Sequence, residues 1–188
     1  MSTDQRPLRR DARRNREALV TAARETFGTK GLDAPLEEIA RRAGVAIGTL
    51  YNRFPTRDDL VEAAFLPALR TSLTHTEEAL AADDPWNGFV LFLERSVAMQ
   101  VADRGFTEVC VRTFGTESEL GATKLAIGER MGRIIARAQE SGALRADFRL
   151  EDLGTVFAAT TGSPRWRRSL GLLLDGFRAE AAHPLPED

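Results

Sequence analysis

Apolar residues recur along this chain at three- and four-residue intervals, the spacing of one face of an α-helix, so the pattern predicts a protein built of helices. The first predicted helix runs from Ala12 to Thr29. It puts Leu19, Ala23 and Phe27 on one face and Arg13, Arg14, Arg16 and Arg24 elsewhere, and Gly31 ends it. Leu36, Ile39, Ala40 and Ala43 mark a short second helix. Pro35 stands at its start, Glu37 and Glu38 suit its positive N-terminal end, and Gly44 stops it, since glycine takes a left-handed backbone cheaply. Val45 plugs the turn. Helical spacing resumes from Ile47 to Phe54, with Leu50 and Phe54 facing inward. Ala40 and Gly44 are small enough to let the two helices approach closely. A helix, a tight turn and a second short helix in this layout make a helix-turn-helix.

Beyond it, Thr56 and Asp59 form a near capping box that opens a fourth helix, with Leu60, Ala63, Ala64 and Leu66 inward. Pro67 falls inside that pattern. It either kinks the helix or ends its first part near Phe65, with a restart through Leu69, Leu73 and Leu80. Asp84 as cap and Pro85 as first residue open a fifth helix, whose stripe is Trp86, Val90, Leu93, Val97 and Val101. Phe89, Phe92 and Met99 widen that stripe, so the helix is expected to be buried on two sides. Asp103-Arg104-Gly105 breaks the run, and Phe106, Val109, Cys110 and Phe114 make a short helix. From about Glu117 to Ser141 a long helix carries Leu120, Ile127, Met131, Ile134, Ile135 and Ala138, and Gly142 ends it. Two last helices, Leu150 to about Thr160 and one begun by Ser163-Pro164, form an apolar hairpin. The expected fold class is all-α. The expected division is a flexible basic arm (1–11), a helix-turn-helix domain (12–57), a helical effector-binding and dimerisation domain (58–182) and a tail (183–188).

The outward positions of the second short helix suit double-stranded DNA. A helix entering the major groove needs small residues for close approach and polar groups for phosphates and base edges. Ile47, Gly48, Thr49 and Asn52 are placed near base edges, and Tyr51 and Arg53 at phosphates. Ala46 and Ile47 cannot donate a bidentate hydrogen bond to guanine, although Ile47 could touch a thymine methyl, so few direct hydrogen bonds are expected from the helix start.

The combination Phe27-x-x-Lys30-Gly31, Glu38-Ile39-Ala40-x-x-Ala43-Gly44-Val45, Gly48-Thr49-Leu50-Tyr51-x-x-Phe54 and Leu60 resembles the DNA-binding domain of TetR-family repressors. The resemblance spans roughly residues 14–65 and joins several motifs in fixed register. It implies an all-helical homodimer with an N-terminal DNA reader, a pseudo-palindromic operator, and a C-terminal domain that dimerises and holds a small-molecule effector. Arg57 resembles the family's phosphate-clamping basic residue, and the fourth helix its link between reader and body.

Charge sharpens this picture. Residues 1–57 hold 12 Arg and Lys against 7 Asp and Glu, and the rest of the chain 14 against 21, so a basic first third precedes an acidic remainder. That acidity argues against a non-specific nucleic-acid packaging protein. The single cysteine, Cys110, permits no internal disulfide and suits a reducing cytoplasm. No apolar run approaches the length of a membrane span. His75 and His183 have no partner ligands at metal spacing, and no phosphate loop or nucleophile elbow is present, so no metal, cofactor or enzymatic activity is expected.

The surplus aromatic and sulfur side chains of the body are candidates for an effector cavity: Trp86, Phe89, Phe92, Met99 and Phe106, then Cys110, Phe114, Met131 and Phe157. Arg95, Glu108, Arg112 and Thr113 are the polar groups among them, able to orient a ligand or to form ordinary surface pairs. In the C-terminal hairpin, Leu153, Phe157, Trp166, Leu170, Leu173, Leu174 and Phe177 are assigned to a dimer interface, where two hairpins would pack as a four-helix bundle. The expected function is a ligand-responsive repressor. An activator differs only in where its site lies. The alternative from another class is a small-molecule sequestering protein with a vestigial reader.

Overall fold

The computed structural model describes residues 5–184, and their side chains from Arg10 onward. Among the described residues the chain forms nine α-helices: α1 (Gln5–Lys30), α2 (Leu36–Arg42), α3 (Ile47–Arg53), α4 (Arg57–Leu80), α5 (Pro85–Ala102), α6 (Arg104–Val111), α7 (Glu119–Glu140), α8 (Asp152–Thr161) and α9 (Trp166–Phe177). A short 3₁₀ turn, Ala179–Ala181, follows. The fold is all-α, as the sequence pattern predicts. The helices group into two compact units. The first takes the chain up to Ala68 together with Asp103–Phe114, and the second takes Leu69–Ala102 and everything from Gly115.

In the first unit, α1 is longer than the sequence predicts. It starts at Gln5, so Gln5–Asp11 of the expected arm is helical, while Met1–Asp4 lie outside the described residues. Pro7 falls in the first turn, where its missing N–H has no intrahelical partner to lose, and no breaker follows it. Leu19, Ala23 and Phe27 are fully buried, and the Phe27 ring stacks on Phe65 at 6.4 Å. Gly31 and Gly44 end α1 and α2 with φ of +88° and +70°. After α2, Val45 N–H donates to Ala40 C=O at 3.0 Å and Gly44 N–H to Arg41 C=O at 3.2 Å, which ties the turn of the helix-turn-helix to the helix before it.

The capping box of α4 closes in both directions. Thr56 N–H donates to Asp59 Oδ2 at 2.8 Å, and Asp59 N–H donates to Thr56 Oγ1 at 3.1 Å. Pro67 does not break α4. Its ring is exposed on a helix that continues from Arg57 to Leu80, so its lost backbone bond is carried without a restart. The boundary between the two units, Ala68 to Leu69, falls one residue after it.

The sequence division at Arg57 left α6 in the body. In the structure α6 belongs to the first unit, packed on α1. Gly105 makes this possible, because a Cβ there would lie 2.6 Å from Phe27 C=O and from the Phe65 ring. The surrounding core adds Leu60, Val61, Phe106 and Val109, all buried.

The second unit is built around Phe89 on α5. Its ring meets Trp86 at 5.7 Å and Phe148 at 5.5 Å, and Phe148 meets Phe177 at 5.0 Å, in edge or tilted geometries favourable to aromatic pairs. The loop after α7 is held by Gln139 Nε2, which donates to the carbonyls of Arg145, Ala146 and Phe148. Arg145, 7% exposed, pairs with Asp147 at 2.6 and 2.9 Å and donates to His183 C=O at 2.6 Å. The start of the expected tail, at His183, is therefore tied to the body, and residues 185–188 lie outside the described residues.

The C-terminal hairpin differs from expectation. Leu153 and Leu170, assigned to a dimer interface, are each 2% exposed inside the core of this unit. Phe157, Trp166, Leu173, Leu174 and Phe177 pack partly buried against the same core. The apolar stripe of the hairpin thus closes its own unit. Gly154, Thr155, Ala158 and Ala159 on α8 face outward, as do Leu172, 63% exposed, and the charged Arg167, Arg168 and Asp175 on α9.

Candidate nucleic-acid interface

A helix of seven residues such as α3 is far below the length that is stable alone in water, so its geometry must come from what it packs on. Leu50 (0% exposed) and Phe54 (3%) supply that anchorage, each burial contributing roughly 1.5–3 kcal/mol. With those two side chains inward, the opposite face is left to solvent. Tyr51 is 48% exposed, and Ala46, Gly48, Asn52 and Arg53 are exposed beside it. Ile47 and Thr49 are half-buried at the edge. A Cβ at Gly48 would meet nothing within 4 Å, so its surface is bare backbone that a groove wall can approach. The exposed face therefore offers a phenol, an amide and a guanidinium around a backbone clearing.

Two arginines near the reader are engaged within the first unit, one of them against expectation. Arg57, placed at phosphates by resemblance, is half-buried and turns its Nη1 onto the carbonyls of Leu32 (2.6 Å) and Ala34 (2.8 Å). Arg24 pairs with Asp103 and lies over the Phe65 ring at 4.5 Å, within the packing of α1 against α6. Arg16 keeps an exposed guanidinium 5.3 Å from the Phe54 ring, at the end of α3, and adds a cation there that helical spacing alone did not associate with that helix. Glu25 holds Arg42 at 2.8 Å, and Glu38 holds Lys30 at 2.7 Å, its carboxyl pulled below the usual range chiefly by that hydrogen bond.

The effector candidates do not share one location. Phe106, Cys110 and Phe114 lie in the first unit with α6. Trp86, Phe89 and Phe92 are buried core of the second, with Met131 and Phe157 packed against them, and Met99 is half-buried on α5. Most of the polar candidates are engaged: Arg95 with Glu78, Arg112 with Asp58 at 3.0 Å, and Glu108 with the backbone of Leu32. His75 on α4 has a buried Nδ1 without a hydrogen-bond partner. Burial, and secondarily Arg95, holds its pKa below the ordinary histidine value. Among the described residues no three His, Cys, Asp or Glu side chains cluster as a metal site, and no helix is long and apolar enough to cross a membrane.

A chain whose described residues are helical and whose first unit presents a helix-turn-helix with an exposed polar second helix defines a DNA-binding class of protein. Residues 19–64 match the model of bacterial regulatory proteins of the tetR family, and residues 84–179 match the SbtR-like transcriptional regulator C-terminal domain. The chain belongs to the TetR family of transcriptional regulators. It is similar to a TetR transcription regulatory protein from Mycobacterium vanbaalenii, with 33% identity, TM-score 0.53, and coverage of 92% of this chain and 99% of that one. A TetR transcriptional regulator from Streptomyces coelicolor shows 30% identity, TM-score 0.54, and coverage of 87% and 98%. RolR, solved in complex with resorcinol, shares the fold at 22% identity and TM-score 0.58, over 95% of this chain and 98% of that one. Proteins of this family are DNA-binding regulators rather than enzymes.

Proposed function

We propose that this DNA-binding regulator is a homodimeric repressor, released from a pseudo-palindromic operator by a small-molecule effector. The observation that carries the reading is the exposed face of α3, where Tyr51, Asn52 and Arg53 are exposed together with the bare backbone of Gly48 on a helix anchored by Leu50 and Phe54. Gly48 and Ile47 approach base edges, Thr49 and Asn52 supply polar contacts, and Tyr51, Arg53 and Arg16 meet phosphates. Dimerisation uses the outward face of α8 and α9. Gly154 and Ala158, one turn apart, allow close helix approach, and Leu172 supplies exposed apolar surface. The effector binds in the body among apolar side chains, and its binding and operator binding weaken each other by the same factor; RolR, which shares the fold, was solved in complex with the small molecule resorcinol.

Selection of bound fragments from a random DNA pool tests this reading. It should enrich a site with two inverted half-sites about one helical turn apart, or a multiple of that. Recovery of fragments without a shared symmetric sequence would leave a regulator fold without an operator, and the repressor reading would fall.

A further inference from the structure

The loop between α1 and α2 is gripped at one residue from two directions. Leu32 donates its N–H to Glu108 Oε2 of α6 at 2.6 Å, and its C=O accepts from Arg57 Nη1, the first residue of α4, at 2.6 Å. Leu32 is 2% exposed, so water is a poor substitute for either partner. The loop is shaped around the carboxylate. Gly31 has φ +88°, and a Cβ on it would collide with both Glu108 oxygens. Arg104 Nε, one turn earlier on α6, donates to Glu108 Oε1 at 2.9 Å, so the two carboxylate oxygens are divided between holding the side chain in place and holding the loop. Asp103 secures the other end of α6. It caps Phe106 N–H at 2.8 Å and pairs with Arg24 on α1.

Leu32 lies just ahead of Leu36, where the helix-turn-helix begins. We propose that Glu108 and Arg57 are positioning residues for DNA reading: by clamping the Leu32 peptide they fix the angle of α2 and α3 against α4 and α6, and so set the half-site spacing that the dimer accepts. This rests on the dimeric operator-binding reading above. The two residues act on geometry, because two recognition helices can enter their grooves together only when their separation matches the helical repeat of the duplex. A carboxylate on a segment 76 residues from the loop is a costly way to satisfy one N–H unless the orientation it imposes matters.

The test uses the full-length dimer and DNA carrying the selected half-sites at the native spacing, or lengthened or shortened by a single base pair. Glu108→Ala leaves a buried N–H without a partner and should weaken binding at the native spacing by about five- to tenfold, with little loss at the altered spacings, so that the preference flattens. Glu108→Gln keeps an acceptor oxygen for Leu32 N–H and should keep most of the native preference. Hydrogen exchange at the Leu32 amide, measured without DNA, should accelerate in Glu108→Ala and stay close to the parent rate in Glu108→Gln. Arg57→Ala removes the opposite grip and carries both readouts if Glu108→Ala does not fold. An unchanged spacing preference, or an equal loss at every spacing, overturns the proposal. The exchange measurement needs no operator, so a protein that binds no DNA would refute the functional reading without passing for a failure of the clamp.

Discussion

Tyr51 and Arg53 are both exposed on α3, on either side of its buried stripe, yet they make different contributions to a polyanion. Arg53 carries a charge, and its replacement by alanine should weaken binding across sequences and lower the salt slope by about one unit. Tyr51 is neutral, so Tyr51→Ala should reduce affinity with little change in slope. Titrations of both variants over a salt series check this, and unchanged affinity in both would remove α3 from the interface. His75 gives a second residue-scale expectation. Its pKa is lowered in the folded state by burial first and Arg95 second, so below about 6.5 the unfolded chain binds more protons than the folded one. Stability is then full above that pH and falls as pH drops through it toward the folded pKa. His75→Gln cannot titrate, and it should reduce the difference in melting temperature between pH 7.5 and 5.5; an identical difference in both proteins would contradict the assignment. At this scale the sequence was legible wherever the physics is local. Gly31, Gly44 and the Thr56–Asp59 box mark helix ends because their partners lie within a few residues. Arg57 was not legible, because its acceptors sit 25 and 23 residues back along the chain.

Elements show the same division between local and distant causes. Helical periodicity located the helices to within a few residues, apart from the start of α1, because a buried stripe must repeat with the turn and the polar first turns of α1 carry no such stripe. It did not say what each stripe is buried against. The stripe of α9 reads from sequence as a dimer seam, but Leu170 at its centre is buried in the core of its own unit, with Trp166, Leu173, Leu174 and Phe177 packed partly buried against that core. In the same way, the apolar face of α6 reads as part of the body until Gly105 is seen against Phe27 and Phe65. The consequence is measurable. Leu172→Glu places a charge on exposed surface, so it should leave the helical content and melting transition of the folded chain intact while shifting the protein from dimer to monomer by light scattering. Leu170→Glu should instead destabilise the fold, by about 3 kcal/mol or more, because it buries an unpaired charge. If Leu172→Glu remained fully dimeric, the interface would lie elsewhere.

Across the whole chain, charge is distributed as a regulator of DNA requires. The basic residues concentrate in the first 57 positions, ahead of an acidic remainder. That asymmetry, with the helix-turn-helix register, made the DNA-binding class readable from sequence, whereas no effector site was. Aromatic residues that fill a core and those that line a cavity have the same composition, and here the nine candidates divide between two units. The central claim is that α3 reads one specific DNA site as part of a dimer. Fluorescence anisotropy of the purified protein tests it most directly, on DNA from upstream of its own coding region against a scrambled sequence, over a range of salt concentrations. The account predicts binding that is tight and saturates at two or four chains per site on the native DNA, and that persists at salt concentrations where the scrambled DNA is released. Equal, weak and equally salt-sensitive binding to both would contradict it.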